Sequence, residues 1–543
     1  MTRGEAGDFD FVIVGAGSAG CVLANRLSED GGHRVALLEA GGEDRSFLVR
    51  MPIGYGKVAF EPGYSWHYFS APEPGLGGRR VLLPRGKGLG GSSNINGLIY
   101  IRGQAADFDD WAAQGARGWA WADVLPWFLH SERSRQRDGA WHSHEGLMRV
   151  QRASERDATN DAILAAFAAT GTPPTDDFND GSQWGCGYYD SIIDGGERWS
   201  AARAFLHPAR SRRNLRVFTG ALASRVLFEG LRATGVECMV AGRKEVFRAR
   251  SAVVLCAGAY QTPQLLQLSG IGDPVLLAAH GIDVVMANPA VGQNLQDHYV
   301  VPMGFRVREG VFSYNRELAG WGLLRNFIRY LGRRDGPLTI PAAQSGAFVR
   351  SEALVERPDL QYHCLPVTGD LEAAAGGGKG KLSPQPGFTI APCVLRPTSR
   401  GSVRIAADDP SVPPEIVHNY LLDERDRRLT LRGMRLARDV AAAMPLRDLV
   451  EIEADPGPAA VDDGELLDFA RRFGSTGYHP VGTCRMGSGP GAVVDPRLRV
   501  QGIEGLRVAD ASVMPALISG NTHATCVMIG ERAADFLLRA SAA

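Results

Sequence analysis

Residues 8–27 read DFDFVIVGAGSAGCVLANRL, and this stretch decides the fold. Asp8–Val14 is a β-branched and aromatic run of the kind buried in a parallel sheet. It runs into glycines at 15, 17 and 20. Beyond them Ala19, Val22, Leu23 and Leu27 recur at helical spacing. In such a turn Gly15 permits the tight bend, Gly17 lets backbone approach a pyrophosphate, and Gly20 lets helix pack on strand. The helix start offers unpaired amides and a positive dipole end to the phosphates. A second strand, Arg34–Leu38, ends at Glu39, 19 residues past Gly20. A carboxylate placed there accepts from a ribose diol and repels a 2′-phosphate. Strand, turn, helix, strand and acid in this order predict an ADP-containing cofactor. They leave nicotinamide and flavin dinucleotides equally open.

The rest of the chain sets the bounds. At 543 residues it is too long for one ordinary core, so two domains are expected. Lys+Arg 59 against Asp+Glu 60 provides no basic surface for nucleic acid. None of the eight cysteines pairs at Cys-x-x-Cys spacing, which argues against a zinc site or a disulfide framework. No metal is expected. The first residues carry no apolar secretory core, and the longest apolar runs fall well short of the roughly 20 residues of a membrane span. A cytoplasmic protein without a membrane span is the expectation; oligomeric state is not legible.

Two further segments carry the reading from dinucleotide to flavin. Gly86–Asp109 reads GKGLGGSSNINGLIYIRGQAADFD, a glycine- and serine-rich loop able to wrap a flat, polar-edged ring. Gly258–Gly272 reads GAYQTPQLLQLSGIG and follows the strand-like Ala252–Ala257. Both resemble the signature motifs of the glucose–methanol–choline (GMC) oxidoreductase family. The likeness extends to VGQNLQDH at Val291–His298 and to HPVGTCRMG and GLRVADASVMP near the C-terminus, so it runs nearly end to end. It implies an α/β (α+β) two-domain fold: a Rossmann-like FAD-binding domain from residues 1–155, 200–300 and 470–543, and a substrate domain on an antiparallel sheet from 156–199 and 301–469. Alternating runs at Leu360–Leu365 and Ser402–Ile405 suit strands of such a sheet. Ala373–Lys381, AAAGGGKGK, reads as a surface loop.

Carried over residue by residue, the resemblance puts Glu39 and Ala40 at the adenosine ribose and Gly15, Gly17, Ser18 and Ala19 at the pyrophosphate. It puts the backbone of Val226 at the adenine, and Gly90, Gly91, Ser92, Asn94, Ile95, Asn96 and Gly97 along the flavin. Ala257, Asp510, Ala511 and Thr525 complete the cofactor set, with Asp510 near the ribityl and pyrophosphate. Some relatives tether FAD through a histidine in the glycine–serine loop. Ile95 stands there in this chain and has no nucleophile, so FAD is expected to be non-covalent.

The resemblance also places the chemistry. Tyr478–Gly487 matches the family segment carrying a catalytic histidine, and Gly520–Thr525 the segment carrying its partner. Histidine suits removal of a hydroxyl proton because its reference pKa, about 6.5, lies near working pH. His479 is therefore expected to be the general base while the flavin N5 takes hydride, with His523 orienting the alcohol and stabilising alkoxide charge. Many choline- and hydroxymethylfurfural-type relatives have asparagine at the second position; the His–His form weighs against a choline enzyme. The expected activity is oxidation of a small neutral primary or secondary alcohol, aromatic or furanic, with O2 or a quinone as acceptor. A hydroxynitrile lyase-like enzyme on a redox-silent flavin is the alternative, and a non-catalytic flavin-binding protein a third. Trp66, Tyr188, Tyr189 and Trp199 read more readily as packed side chains than as site residues, and His67 as a packed or solvent-facing imidazole. Cys484 and Cys526 read as buried hydrophobes.

Overall fold

The computed structural model describes residues 4–375 and 381–542. Its first sheet is built around β1 (Gly4–Val14), which lies parallel between β2 (Val35–Glu39) and the long strand Arg243–Leu255. Leu215–Thr219 extends the parallel set beyond β2, and Leu506–Val508 pairs parallel with Arg243–Leu255. Arg232–Val240 and Ala221–Glu229 continue it as antiparallel strands. The buried run of β1 is almost wholly apolar because both faces of the sheet are covered. α1 (Ser18–Leu27) follows the glycine turn and packs on the last helix, His523–Ala542. Gly530 makes that approach possible: a Cβ there would come within 2.9 Å of the Ala19 carbonyl oxygen. Arg26 clamps the two helices through a bidentate bond to Glu531, at 2.8 and 2.9 Å. The far C-terminus is thereby delivered to the first turn of the chain.

The second sheet is antiparallel, in the order Val450–Asp455, Met303–Val307, Gly387–Val394, Leu360–Leu365, Ser345–Val349 and Gly185–Tyr188. Short strands Tyr299–Val300 and Ser475–Thr476 attach to its edge. The expected strand at Ser402–Ile405 forms as Gly401–Arg404, but in a separate three-stranded sheet with Gln293–Leu295 and Glu415–Val417. The segment read as a loop begins as the end of a helix, Leu371–Ala375; residues 376–380 lie outside the described residues. Each large sheet has its own apolar core. Between them lies a cavity of about 730 Å³ whose wall draws on both.

Candidate active site

The nucleotide arm of the cavity is a backbone construction. Gly15 has φ +101°, and a Cβ would sit 2.5 Å from the Cys256 carbonyl oxygen, so the bend tolerates no side chain. Gly17 caps α1 without a side-chain bond, which leaves the first-turn amides facing the cavity as an anion site. Gly15, Gly17, Ser18, Ala19, Glu39 and Ala40 all lie on the wall. The Glu39 carboxylate accepts from the amides of Ala16 (2.9 Å), Gly41 (2.8 Å) and Gly88 (2.9 Å). Three bonds over two oxygens leave Oε2 a lone pair for a ribose hydroxyl. Burial raises the Glu39 pKa and those amides oppose it. Asp510 accepts from the Gly258 amide (2.9 Å), the Thr262 hydroxyl (2.6 Å) and the Ser512 amide (2.8 Å), joining the start of helix Gly258–Leu268 to Ala511. Ala257, Asp510 and Ala511 are on the wall.

Val226, expected at the adenine, is not on the cavity wall. The Val226 amide donates to Ser269 Oγ at 2.8 Å, and the residue is buried inside Ala221–Glu229, away from the cavity. Ala221, Leu222 and Ala223, earlier on the same strand, reach the wall. Thr525 is likewise displaced: its hydroxyl donates to the Arg102 carbonyl at 3.3 Å inside the core.

The glycine–serine loop crosses the middle of the cavity. Gly91, Ser92, Ile95, Asn96 and Gly97 line it; Gly90 and Asn94 stand behind, where the Asn94 amide donates to the Leu89 carbonyl at 2.6 Å. A Cβ on Gly91 would lie 2.8 Å from Gly17 Cα, so the loop approaches the first turn this closely only because Gly91 lacks a side chain. Arg198, which the sequence reading missed, holds the loop in place. Its buried guanidinium donates to the carbonyls of Val49 (3.1 Å), Ser93 (3.0 Å) and Asn96 (2.9 Å), and desolvation lowers its pKa to about 9. Ile95 packs against Val49 and Val58 and presents only hydrocarbon. Acid precipitation is therefore expected to release the flavin into the supernatant; flavin remaining on the protein would show a covalent link.

At the far end stands His479. Its neighbour Tyr478 has φ +64°, uncommon for a side chain of this size. That conformation is pinned from both sides: the Tyr478 amide donates to Thr476 Oγ1 (2.7 Å) and its carbonyl accepts from Arg85 (3.0 Å). The His479 amide donates to Asp297 Oδ1 at 2.7 Å. Asp297 is buried and also accepts from Tyr420 and Thr476 hydroxyls, each at 2.5 Å. The backbone on which His479 rides is thus fixed by three independent contacts.

The ring's protonation follows from its partners. His298 Nε2 lies 2.9 Å from the Leu395 carbonyl, which can only accept, so Nε2 carries the hydrogen. Burial lowers His298 to about 4, so the ring is neutral and its Nδ1 is a bare acceptor. His479 Nδ1 sits 2.9 Å from that atom and must donate. Burial, then His298, His363 and Arg85, push the His479 pKa well below its ordinary value. A neutral His479 protonated at Nδ1 has a bare Nε2, which faces the cavity and accepts from the Asn521 amide at 3.1 Å. This is an unprotonated base nitrogen on the cavity wall, its lone pair held by the Asn521 amide.

In this structure the His479 ring bonds Asn521, while His523, the expected partner, bonds Ser18. His523 lies on the same cavity wall, but its Nδ1 is 2.9 Å from Ser18 Oγ, and burial lowers its pKa to about 4. The reason is helical geometry: His523 opens the last helix, whose packing on α1 carries it to Ser18, whereas Asn521 precedes the helix and reaches back. Two buried polar atoms on the wall, His523 Nε2 and Asn521 Oδ1, have no hydrogen-bond partner. Orphans of this kind are costly, so the wall is shaped for a ligand that bonds there. A dinucleotide with a polar-edged ring fits both atoms, the open α1 amides and the free Oε2 lone pair.

Other residues fall as their bland readings had them. His67 is exposed, Tyr189 is buried, Tyr188 donates to Asp161 at 2.8 Å, and Trp199 stacks with Arg149 and Arg203. Trp66 does line the cavity, with Lys87 Nζ 4.2 Å from its ring centroid. The Cys526 thiol, also on the wall, is pushed up to about 12 by burial and stays protonated.

Comparison with known proteins agrees with this geometry. The models of the GMC oxidoreductase family match residues 9–300 and 397–530. The oxygen-dependent choline dehydrogenase of Brucella ovis is 40% identical over 97% of this chain and 95% of its own. The alcohol dehydrogenase (acceptor) of Pseudomonas putida is 39% identical over 98% of this chain and 96% of its own. Among solved structures, pyridoxine 4-oxidase from Mesorbium loti superposes with a TM-score of 0.86 at 31% identity, covering 97% of this chain and 98% of that one.

Proposed function

We propose that this chain, which belongs to the GMC oxidoreductase family and acts with FAD on CH–OH donors, oxidises an uncharged, largely apolar alcohol to the aldehyde or ketone. The observation that carries the chemistry is the bare Nε2 of His479, held by the His298–Leu395 chain and facing the cavity. FAD, when bound, supplies the hydride acceptor. The protein supplies the rest. His479 Nε2 takes the hydroxyl proton of the alcohol. The Asn521 amide, 3.1 Å from that nitrogen in the free site, is placed to donate to the developing alkoxide. The proton then rests on Nε2, and the resulting imidazolium keeps its Nδ1–H on His298.

The substrate class is read from the wall. Among its described residues the only carboxylates are Glu39 and Asp510, both engaged by amides at the nucleotide end. The charged groups elsewhere on the wall are cations, Arg85 and Lys381. Apolar side chains on the wall include Phe60, Leu365, Val367, Leu371 and Leu382. A quaternary ammonium alcohol such as choline would meet no counter-ion among the described wall residues, and the face of Trp66 is already under Lys87. Burying an uncompensated charge costs several kcal/mol.

The test is a panel of alcohols added anaerobically, read as bleaching of the flavin's blue absorbance, then repeated with oxygen and with an artificial quinone-like acceptor. Benzylic or medium-chain aliphatic alcohols are expected to exceed choline by about a hundredfold or more in kcat/KM. Choline as the better substrate would overturn the substrate class. Absence of bleaching with every alcohol, together with cyanohydrin cleavage, would favour the lyase reading.

A further inference from the structure

The helix Gly320–Arg333, GWGLLRNFIRYLGR, is turned inside out. Of its residues only Asn326 and Tyr330 are buried, while Trp321 is 86% exposed and Leu323, Leu324, Phe327, Ile328 and Leu331 are exposed beside it. At about 100° per residue these apolar side chains cover a continuous arc of roughly 160°. Arg325, Arg329 and Arg333 form a row on the adjoining arc. The helix rests on the protein chiefly through the narrow sector between them, where Asn326 donates to the Glu317 carbonyl at 2.9 Å and Tyr330 packs edge-on against Phe47, with the edge of Phe327 also meeting Phe47. Burying a tyrosine and an asparagine while leaving a tryptophan and five large aliphatic or aromatic residues in water is the reverse of what a surface helix does.

We propose that this helix is a docking element for an anionic lipid bilayer, lying in the headgroup region with its apolar arc in the acyl boundary. Charge and composition choose that occupant. The helix contains no acidic residue, and between Arg316 and Asp335 five arginines face two acids, in a chain whose formal net charge is −1. Those acids are paired within the element, Glu317 with Arg325 at 2.5 Å and Asp335 with Arg329 at 2.7 Å. Arg316 and Arg333 have no ion-pair partner among the described residues and are free to meet phosphates. A tryptophan at one end, a leucine- and isoleucine-rich face and an arginine-rich edge form the pattern of a helix lying on a membrane. A second copy of the chain would need an acidic strip opposite these arginines, and this face has none to give. Among the described residues no helix is long and apolar enough to cross a membrane, so attachment would be peripheral. The helix packs through Phe47 and Met51 on the turn that leads into Tyr55 and Phe60 of the cavity wall, so attachment brings the bilayer close to the substrate chamber.

The inference is independent of the catalytic reading, and its test reads sedimentation. FAD-loaded enzyme is spun with sucrose-loaded vesicles of phosphatidylcholine alone or with phosphatidylglycerol. Binding is expected with phosphatidylglycerol, weakened in high salt. A double variant, Trp321→Ser with Ile328→Ser, is expected to lower the partition coefficient about tenfold. The pair Arg316→Gln with Arg333→Gln is expected to remove the preference for phosphatidylglycerol. Unchanged flavin content and unchanged turnover of a soluble alcohol with a soluble acceptor show that each variant is folded. No sedimentation of the wild type at low salt, or sedimentation indifferent to both variants, overturns the proposal. So does light scattering that shows a dimer, without lipid, that Trp321→Ser with Ile328→Ser converts to monomer.

Discussion

Replacement of His479 by alanine is expected to lower kcat by about 10²–10⁴-fold, the range a positioned general base contributes, while FAD stays bound. Among the described residues the ring hydrogen-bonds His298 and Asn521, not the nucleotide arm at Gly15–Ala19, Glu39 and Asp510. The backbone at residue 479 is held by Asp297 through the amide, which alanine retains. Loss of rate with normal flavin content and unchanged melting temperature therefore reports chemistry rather than folding. Turnover within a fewfold of wild type would end the assignment of His479 as base. The wild-type pH profile checks the same assignment from another side. Only the neutral ring can take the proton, and burial disfavours the charged ring, so protonation requires a pH well below 6.5. The acid limb of kcat/KM is expected below pH 6.5, with activity flat through neutrality; a limb at or above 6.5 would mean that another group governs it.

How much of this site the sequence revealed depends on whether a residue acts through a periodic element or through a loop. β1, the glycine turn, α1 and Glu39 were legible because a continuous apolar run and then a 3.6-residue period frame them, and because Gly15 and Gly20 are forced by clashes that any side chain would create. Ala19, Val22, Leu23 and Leu27 are buried as their spacing required. Val226 lies three residues farther along its strand than the part that reaches the cavity: Ala221, Leu222 and Ala223, at the start of the strand, line the wall and Val226 does not. Asn521 and His523 are two residues apart on either side of a helix start, and Gly520 at φ +148° bends the chain just before them, so sequence spacing alone does not say which of the two reaches His479. His298 and Arg198 were invisible for a different reason. They act at 181 and about 100 residues' separation, and a buried histidine or arginine has no local pattern that distinguishes it from an exposed one. Within VGQNLQDH, the one available signal was the adjacency of Asp297 and His298, the two residues that hold His479 by its amide and its ring.

That adjacency leads to the second large effect. His298 touches neither end of the cavity; it acts by accepting from His479 Nδ1, so it is a positioning residue. Replacement by alanine leaves the Nδ1–H of His479 buried without a partner. The ring then gains by rotating or by moving its hydrogen to Nε2, and either change removes the lone pair from the substrate. Outer-shell partners of functional histidines are worth about 10–100-fold, and a loss of that size in kcat is expected, with KM changed little because the substrate chamber keeps its walls. Asparagine at 298 places an oxygen where histidine has Nδ1, and that oxygen can accept from His479. His298→Asn is therefore expected to recover most of the lost rate, and His298→Leu, of similar bulk but with no acceptor, to recover none. A merely structural role predicts the opposite order, since leucine fills the pocket better than a polar amide whose own donors must find partners. The pH profile supplies a second discriminator. The coupling of His479 to a neutral neighbour that accepts its hydrogen favours the neutral tautomer with a free Nε2, so His298→Leu is expected to alter the acid limb as well as the rate. If His298→Leu and His298→Asn are equally impaired with unchanged profiles, the tautomer chain from Leu395 through His298 to His479 is not what orients the base.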